Sequence, residues 1–273
     1  DQDVFFGSIL QGLREESGAE VTLLGTLKRA GGMLGPPVND IQWERFDWLI
    51  LLEIFDEEYI AAIQKASPLP VVVVDYDPQK VQIDHVVQDN YGAGQATEYL
   101  LKLGHKRIEH VGEPPPQPQR QHVDSAWQVR RRGWEEAMRS AGLDPAPFFL
   151  QLPGRGSGGS AEHMQQVLKQ PLAQRPTAFF GAGDDIVVQM MRVAQDAGVK
   201  VPQEMSFIGF GDSQAAAVVR PSITTFRALV IEMGRWAWRR LKSLRDGADR
   251  TPHRHVIPVK MIERESCAPP PKP

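Results

Sequence analysis

Short apolar, strand-like segments alternate with amphipathic, helix-like segments along most of this 273-residue chain. The strand-like segments are nearly continuous apolar runs, as expected for strands that are buried on both faces. Residues 48–54, 71–75, 83–87, 108–112, 148–152, 178–180 and 207–210 form these runs. Alternation of this kind predicts parallel sheets that are covered by helices.

Helix candidates have apolar residues at intervals of three and four. They include residues 5–13, 93–103, 126–141 and 229–244. The first of them has no strand before it, whereas a doubly wound lobe normally begins with a strand. We therefore expect at least one strand upstream of the sequence given.

Composition favours a globular protein with two lobes of ordinary size. Hydrophobic residues make up 41% of the chain and charged residues 24%. We expect no membrane span, because no apolar run approaches about 20 residues, and the first residues lack the pattern of a secretory signal. The single cysteine, Cys267, cannot form an intramolecular disulfide, which favours a reducing, cytoplasmic compartment.

The charge distribution does not predict DNA binding by this chain alone. Its formal net charge is −3, whereas a free-standing DNA-binding domain normally carries a basic face. The densest basic runs, at residues 130–132 and 239–240, lie within helical patterns and are typical of solvated helix faces.

The segment at residues 207–232 indicates a ligand site. An apolar strand at 207–210 runs into Gly211, Asp212 and Ser213, and Thr224 and Thr225 follow before a new helix. In an open α/β sheet, small ligands bind at the turn past the carboxyl end of a strand. The two threonines are interpreted as a crossover between lobes, so the segment is typical of a two-lobed small-molecule sensor.

Five motifs in order resemble those of the LacI/GalR family of bacterial regulators. They are DN followed by LGHKRI (89–108), RRRGWEEAMRSAGL (130–143), FFGAGDD (179–185), VP through IGF (201–210) and PVKMIERES (258–266). The match extends over nearly the whole chain. It implies an α/β fold of two doubly wound parallel-sheet lobes, of the periplasmic binding protein type, joined by three crossovers.

The resemblance also implies domain boundaries. We expect crossovers near residues 112–118, 225–229 and 249–256. The N-terminal lobe would then comprise residues 1–112 plus 229–251, and the C-terminal lobe residues 113–228 plus 252–267. Residues 268–273 are rich in proline and are expected to form a disordered tail.

By the same resemblance, the chain is the effector-binding and dimerisation core of such a regulator. The implied partners are a small-molecule effector (a sugar, sugar acid or sugar phosphate), a second copy in a homodimer, and operator DNA. DNA would be bound through an N-terminal helix-turn-helix domain that is not in this sequence. No cofactor and no metal are expected. The alternative is a solute-binding protein of a sugar ABC transporter, although GHKRI, RPSITT and the closing R-x-S favour the regulator.

The resemblance places the ligand between the lobes, with Arg130 as the ligand-binding arginine. A planar guanidinium can donate two hydrogen bonds to vicinal hydroxyls or to a carboxylate. The alternative is a solvated residue in a basic run. Phe6 matches an aromatic residue that stacks on the ligand, and its alternative is a core position, which Phe5 also fits.

Asp184 and Tyr91 occupy two further ligand-contact positions of the family. A carboxylate at Asp184 would meet a donor such as a hydroxyl or an amine, although a helix N-cap would also explain an aspartate there. Tyr91 is expected at the mouth of the first lobe. Its alternative is a surface residue that caps the next helix.

Two departures from the family pattern bear on specificity. Gly211 stands where the family has its first aspartate after IGF, and Arg155 stands where relatives have an aromatic residue. The exchange removes one carboxylate and adds one guanidinium, which favours an anionic ligand. A solvated Arg155 in its glycine-rich loop is the alternative.

No catalytic or metal-binding constellation is predicted. The seven histidines are scattered, and His253 and His255 have no nearby metal-ligand partners in the sequence. The glycine-rich segment 154–159 lacks the lysine and the spacing of a phosphate-binding loop. His105 is expected to satisfy backbone groups after a glycine turn.

Overall fold

The computed structural model describes residues 2–18, 20–22, 24, 27–29, 32–52, 54–112, 125–152, 159–247 and 250–272, without the side chains of residues 2–4, 27–29, 32–34, 90 and 125. Its helices are α1 Gln2–Ser17, α2 Glu57–Ala66, α3 Gly94–Lys102, α4 Ser125–Ser140, α5 Gly159–Lys169, α6 Asp184–Asp196, α7 Gln214–Val218 and α8 Val230–Arg245. Short 3-10 helices lie at Val38–Asp40, Trp43–Arg45, Asn90–Ala93 and Ala146–Phe148.

The strands of these residues are β1 Leu27–Arg29, β2 Gly32–Leu34, β3 Leu49–Leu52, β4 Val71–Val74, β5 His85–Gln88, β6 Ile108–Gly112, β7 Phe149–Gln151, β8 Ala178–Gly181, β9 Ser206–Ile208, β10 Thr225–Ala228, β11 Arg254–Ile257 and β12 Val259–Ile262. All seven strands predicted from apolar runs are present, with ends that differ by one or two residues for most of them. The chain divides into two compact units.

Unit 1 contains described residues from 2–89 and 229–258, together with Ser125. Its main sheet has the order β11-β5-β4-β3, with every neighbouring pair parallel. Alternate valines of β4 point to opposite faces: Val71 and Val73 pack with Ile60 of α2, while Val72 and Val74 pack with residues of α1 and α8. Both faces of this sheet are therefore covered by helices. In the same unit, β1 and β2 form an antiparallel pair.

Unit 2 contains described residues from 90–112, 126–228 and 259–272. Its parallel sheet has the order β7-β6-β8-β9. Phe179 and Phe207 pack on the α5 and α6 side, whereas Phe180 and Ile208 pack with residues of α3 and α4. β10 and β12 form a separate antiparallel pair. The predicted α/β architecture of two doubly wound parallel-sheet lobes is thus confirmed.

The unit boundaries differ from the predicted domain boundaries. Residues 90–112 belong to unit 2, because β6 pairs with β7 and β8. Residues 252–257 belong to unit 1, because β11 pairs with β5. In the described residues the chain passes between units after Asp89, Ser125, Ala228 and Pro258. The passage after Ala228 lies where a crossover is predicted, and the passage after Pro258 is later than the predicted one. Residues 113–118 of the remaining predicted crossover lie outside the described residues.

Two features near the end of the given sequence complete the fold, and the second corrects an expectation. β11 and β12 lie in different units, with Pro258 between them; proline has no N–H for a strand ladder. The expected disordered tail is docked on unit 2. Ala268 bonds through both its N–H and its carbonyl to the Ser206 hydroxyl (3.0 Å each), and its carbonyl also lies 2.8 Å from His105 Nε2.

No helix in the described part of the chain is long and apolar enough to cross a membrane.

Candidate functional site

Two strand-to-helix turns lie at the carboxyl edge of the unit 2 sheet. The first leads from β8 through Ala182 and Gly183 into α6, and the second leads from β9 through residues 209–213 into α7. The Asp184 N–H donates to the Phe210 carbonyl (3.1 Å), which ties the two turns together. This edge is where an open parallel sheet binds small ligands.

Arg130 of α4 reaches this edge. Its Nη1 donates to the Ala182 carbonyl at 2.7 Å, and its guanidinium carbon lies 3.8 Å from the centroid of the Phe210 ring. The side chain is buried, whereas Arg132 is exposed and Arg131 stacks on Phe149. The interpretation of Arg130 as a solvated member of a basic run is therefore wrong. Its orientation is fixed by a carbonyl and an aromatic ring.

Asp184 is the first residue of α6 and is only 3% exposed. Its Oδ2 accepts from the Ser213 N–H (2.6 Å), and its Oδ1 accepts from the Thr225 hydroxyl (2.5 Å). Burial raises the pKa of this carboxyl group, although the bonds from Thr225 and Ser213 oppose that rise. The N-cap position of α6 is held by Gly183, so the carboxylate joins α6 to the turn before α7 and to β10.

Glycine is required beside this carboxylate. A Cβ on Gly209 would lie 2.1 Å from Asp184 Oδ1, which is closer than any real contact. Gly211 has φ +126°, a conformation that side chains rarely adopt. The geometry of the turn after β9 therefore requires glycine at positions 209 and 211. Gly211 also leaves that position of the turn without a carboxylate.

Asp212 has φ 52° and accepts hydrogen bonds from two arginines. Arg227 Nε lies 2.5 Å from its Oδ2, and Arg264 Nη2 lies 2.5 Å from its Oδ1. Sequence reasoning did not assign this role, although the closing Arg-x-Ser motif contains Arg264. One carboxylate and two guanidinium groups leave this cluster with a net positive charge.

The other predicted ligand residues are not gathered at this edge. Phe6 belongs to α1 of unit 1, where its ring is half-buried and contacts Phe5 edge-on, with ring centroids 5.8 Å apart. Tyr91 belongs to unit 2, not to the first lobe as expected; it is 54% exposed and its hydroxyl donates to Glu136. Arg155 lies outside the described residues.

The carboxyl edge of the unit 1 sheet also carries polar side chains that sequence reasoning missed. Asp75 follows β4 directly with φ 63°, and its Oδ1 accepts from Gln88 Nε2 at the end of β5 (3.2 Å). A non-glycine residue with positive φ at a strand end is often functional. The signal in the sequence was an aspartate placed immediately after four valines.

Among the described residues, no three His, Cys, Asp or Glu side chains are grouped so that they could hold a metal ion. His105 contacts two side chains and a backbone carbonyl: Thr177 Oγ1 (2.9 Å), Ser206 Oγ and the Ala268 carbonyl. It thus satisfies polar groups, as expected, at the start of β9.

The fold and the edge site define a two-unit protein of the periplasmic binding protein type. Comparison with known proteins agrees: a model of the periplasmic binding protein-like domain matches residues 97–267, more than half of the chain. The chain belongs to this family.

Similar proteins include a bacterial repressor. The chain is 28% identical over 223 residues to the HTH-type transcriptional repressor PurR of Escherichia coli, covering 81% of this chain and 62% of the relative. The chain thus spans less than two thirds of that relative's length. The predicted resemblance to the effector-binding core of LacI/GalR regulators is confirmed.

Solved structures share the fold over nearly the whole chain. A LacI family transcriptional regulator from Enterococcus faecium with bound ribose has a TM-score of 0.75 at 20% identity, covering 98% of this chain and 96% of that one. The lac repressor dimer bound to operator and the anti-inducer ONPF has a TM-score of 0.78 at 20% identity, covering 96% and 89%.

Proposed function

We propose that this chain is the ligand-sensing and dimerisation core of a LacI-type, DNA-binding transcriptional regulator of the cytoplasm. Its effector is a sugar or a sugar-derived, anionic compound. One observation carries the proposal. The Ala182 carbonyl and the Phe210 ring orient the Arg130 guanidinium at the carboxyl edge of the unit 2 sheet.

Arg130 has the chemistry that such an effector needs. A guanidinium has five N–H donors in a rigid fork, so it can bond to the Ala182 carbonyl and to a ligand at the same time. Vicinal hydroxyls and carboxylates both match that fork. Because its orientation is set by protein contacts, little conformational entropy is lost when the ligand binds.

The neighbouring charges favour an anion. Gly211 has no carboxylate, and the carboxylate of Asp212 already accepts hydrogen bonds from Arg227 and Arg264. A sugar acid or a sugar phosphate is therefore a better electrostatic match than a neutral sugar.

The remaining proposed contacts are Phe6, Tyr91 and Arg155, with Asp184 as an acceptor for a ligand hydroxyl or amine. A carboxylate has about four lone-pair positions, so Asp184 can accept from a ligand in addition to Ser213 and Thr225.

The whole protein would act on DNA as a homodimer, through a helix-turn-helix domain outside this sequence. Support comes from the repressors to which the chain is similar. Two-fold symmetric dimers suit operators made of paired half-sites. An effector changes DNA affinity only if it binds two conformations of the protein with different affinities.

A calorimetric titration tests the proposal. The panel is D-glucose, D-gluconate, D-glucose 6-phosphate, D-ribose and D-ribose 5-phosphate. We expect saturable binding of at least one anionic member, tighter than that of its neutral parent sugar. Absence of binding by every member at millimolar concentration would contradict a sugar-derived effector.

Sedimentation of the same protein addresses assembly. A dimer at micromolar concentration is expected. A monomer that binds a sugar would favour the alternative, a solute-binding protein of a transporter.

A further inference from the structure

The central strand β6 of unit 2 carries a histidine in its core. His110 is fully buried, and its ring packs against Phe180 of β8 (centroids 4.9 Å apart), Trp134 of α4 (5.5 Å) and Phe149 of β7 (6.0 Å). An aliphatic residue would fill such a position without any polar atom to satisfy.

The hydrogen bonds of His110 define its protonation. Nδ1 lies 3.0 Å from the Phe180 carbonyl, which can only accept, so Nδ1 carries the hydrogen. Burial lowers the pKa of His110 to about 3, so the ring is neutral near pH 7 and Nε2 is an acceptor. Nε2 has no hydrogen-bond partner among the described residues. A buried, unpaired acceptor destabilises the folded state.

His110 contacts both elements that hold the Arg130 side chain. The first is α4, in which Trp134 lies one turn after Arg130. The second is the end of β8, where Phe180 lies two residues before Ala182. The Ala182 carbonyl accepts the hydrogen bond from Arg130. Gly112 lies on the far side of the ring. A Cβ added to Gly112 would be 3.2 Å from His110 Nε2 and 2.7 Å from the Ala182 Cβ. The ring thus fills the space beneath the Ala182 turn.

We propose that His110 is a positioning residue for Arg130: it fixes the end of β8 against α4, so that the Ala182 carbonyl stands where the guanidinium needs it. The Nδ1–H bond to the Phe180 carbonyl supplies the constraint. Burying the ring to make this bond leaves Nε2 without a partner among the described residues, which lowers stability. Unpaired buried groups in native proteins often mark functional constraints. This inference rests on the proposed role of Arg130 in ligand binding.

The primary experiment needs no ligand. In protein labelled with ¹⁵N-arginine, the Nη–H bonded to Ala182 should give a resolved, slowly exchanging resonance, identified by its loss in Arg130→Lys. We expect His110→Leu to lose this resonance, because the Phe180 carbonyl no longer accepts the bond from Nδ1. His110→Asn, which retains an N–H donor near the position of Nδ1, should keep it.

A matched control separates positioning from stability. Val167→Ala truncates a fully buried residue of α5 in the other core cluster of unit 2, and it should keep the Arg130 resonance at a comparable loss of stability. If His110→Leu does not fold, His110→Phe replaces it; its longer ring would crowd Gly112 and is also expected to lose the resonance.

Retention of the resonance in the folded Leu or Phe variant would overturn the inference, and so would its loss in Val167→Ala.

For any compound of the titration panel that binds, His110→Leu should weaken binding about tenfold or more, a change of about 1.4 kcal/mol. Failure of every compound to bind would count against the proposed effector but would leave the ligand-free measurement decisive for His110.

Discussion

Gly234 of α8 lies so close to Ile9 of α1 that a Cβ on Gly234 would fall 2.0 Å from the Ile9 carbonyl oxygen. The approach is reciprocal, since a Cβ on Gly12 of α1 would fall 2.0 Å from the Ile231 carbonyl oxygen. Both obstacles are backbone atoms, which cannot rotate away as a side chain can. The crossing of these two helices therefore depends on glycine at both positions.

Gly234→Ala should lower the free energy of unfolding by about 1–3 kcal/mol, the range for inserting one carbon into a packed site. Urea denaturation would measure the change. Gly7→Ala is the matched control, because Gly7 lies in the same helix pair and no atom lies within 4 Å of its Cβ position; this variant should gain up to about 1 kcal/mol. Equal effects of the two substitutions would contradict the close helix crossing.

Asp84→Ala should destabilise unit 1 strongly. Asp84 and Arg240 are both buried, with Arg240 Nε 2.7 Å from Asp84 Oδ1, and the same oxygen accepts from the His253 N–H. Removing one member of a buried pair costs about 3–5 kcal/mol, because the other charge remains buried. Thermal or urea unfolding would measure it.

Glu16→Ala is the control for that prediction, since Glu16 pairs with Arg239 on the surface. Exposed pairs contribute little, so this variant should unfold much like the parent. A loss in Asp84→Ala as small as in Glu16→Ala would show that the buried pair is unimportant.

The pH dependence of stability should reflect Asp184. Burial raises the pKa of its carboxyl group in the folded state, so the folded protein binds the proton at a higher pH than the unfolded chain does. The contribution of Asp184 to stability is therefore full below its unfolded pKa and is lost as pH rises through its folded pKa.

Comparison with Asp184→Asn isolates that contribution. On acidification from neutral pH, the parent should gain unfolding free energy relative to the variant, as measured by urea denaturation at several pH values. Parallel pH profiles for the two proteins would show that the Asp184 pKa is not raised.

Arg130→Ala should weaken effector binding by about 2–3 kcal/mol, the magnitude for charge-assisted hydrogen bonds. It should also lower stability, because the guanidinium packs on Phe210 and bonds to Ala182. Calorimetry with the compound that binds the parent would measure the affinity. Arg132→Ala, at an exposed position of the same helix, should bind like the parent, and an Arg130→Ala variant that did so would place the site elsewhere.

Much of the fold follows from local apolar patterns. The four valines of β4 predict a strand buried on both faces, and each valine is buried. β10 and β12 escape this reasoning, because neither is a continuous apolar run: β10 includes the exposed Arg227 and β12 includes the exposed Lys260. Assigning strands to lobes also requires knowledge of long-range pairing, which a single sequence does not provide.

The site was predicted in part. Arg130 and Asp184 fall at one sheet edge, as the family motifs imply. The choice among three consecutive arginines has a local signal, since Arg130 lies one turn before the buried Trp134. The two-arginine clamp on Asp212 has no such signal, because its members are far apart in sequence.

The interleaving of the two units has a consequence for synthesis. On the ribosome, strands β3, β4 and β5 emerge early, but their neighbour β11 is made only after nearly all of unit 2. Unit 2 in turn waits for β12 to pair with β10, and for the Ser266 carbonyl to accept from the Phe207 N–H. Domains encoded by contiguous segments can fold one after another as they are made. Here both units are completed by the same short stretch, residues 254–266, so nascent chains expose two incomplete sheets until it has been made and would benefit most from chaperones before that stage.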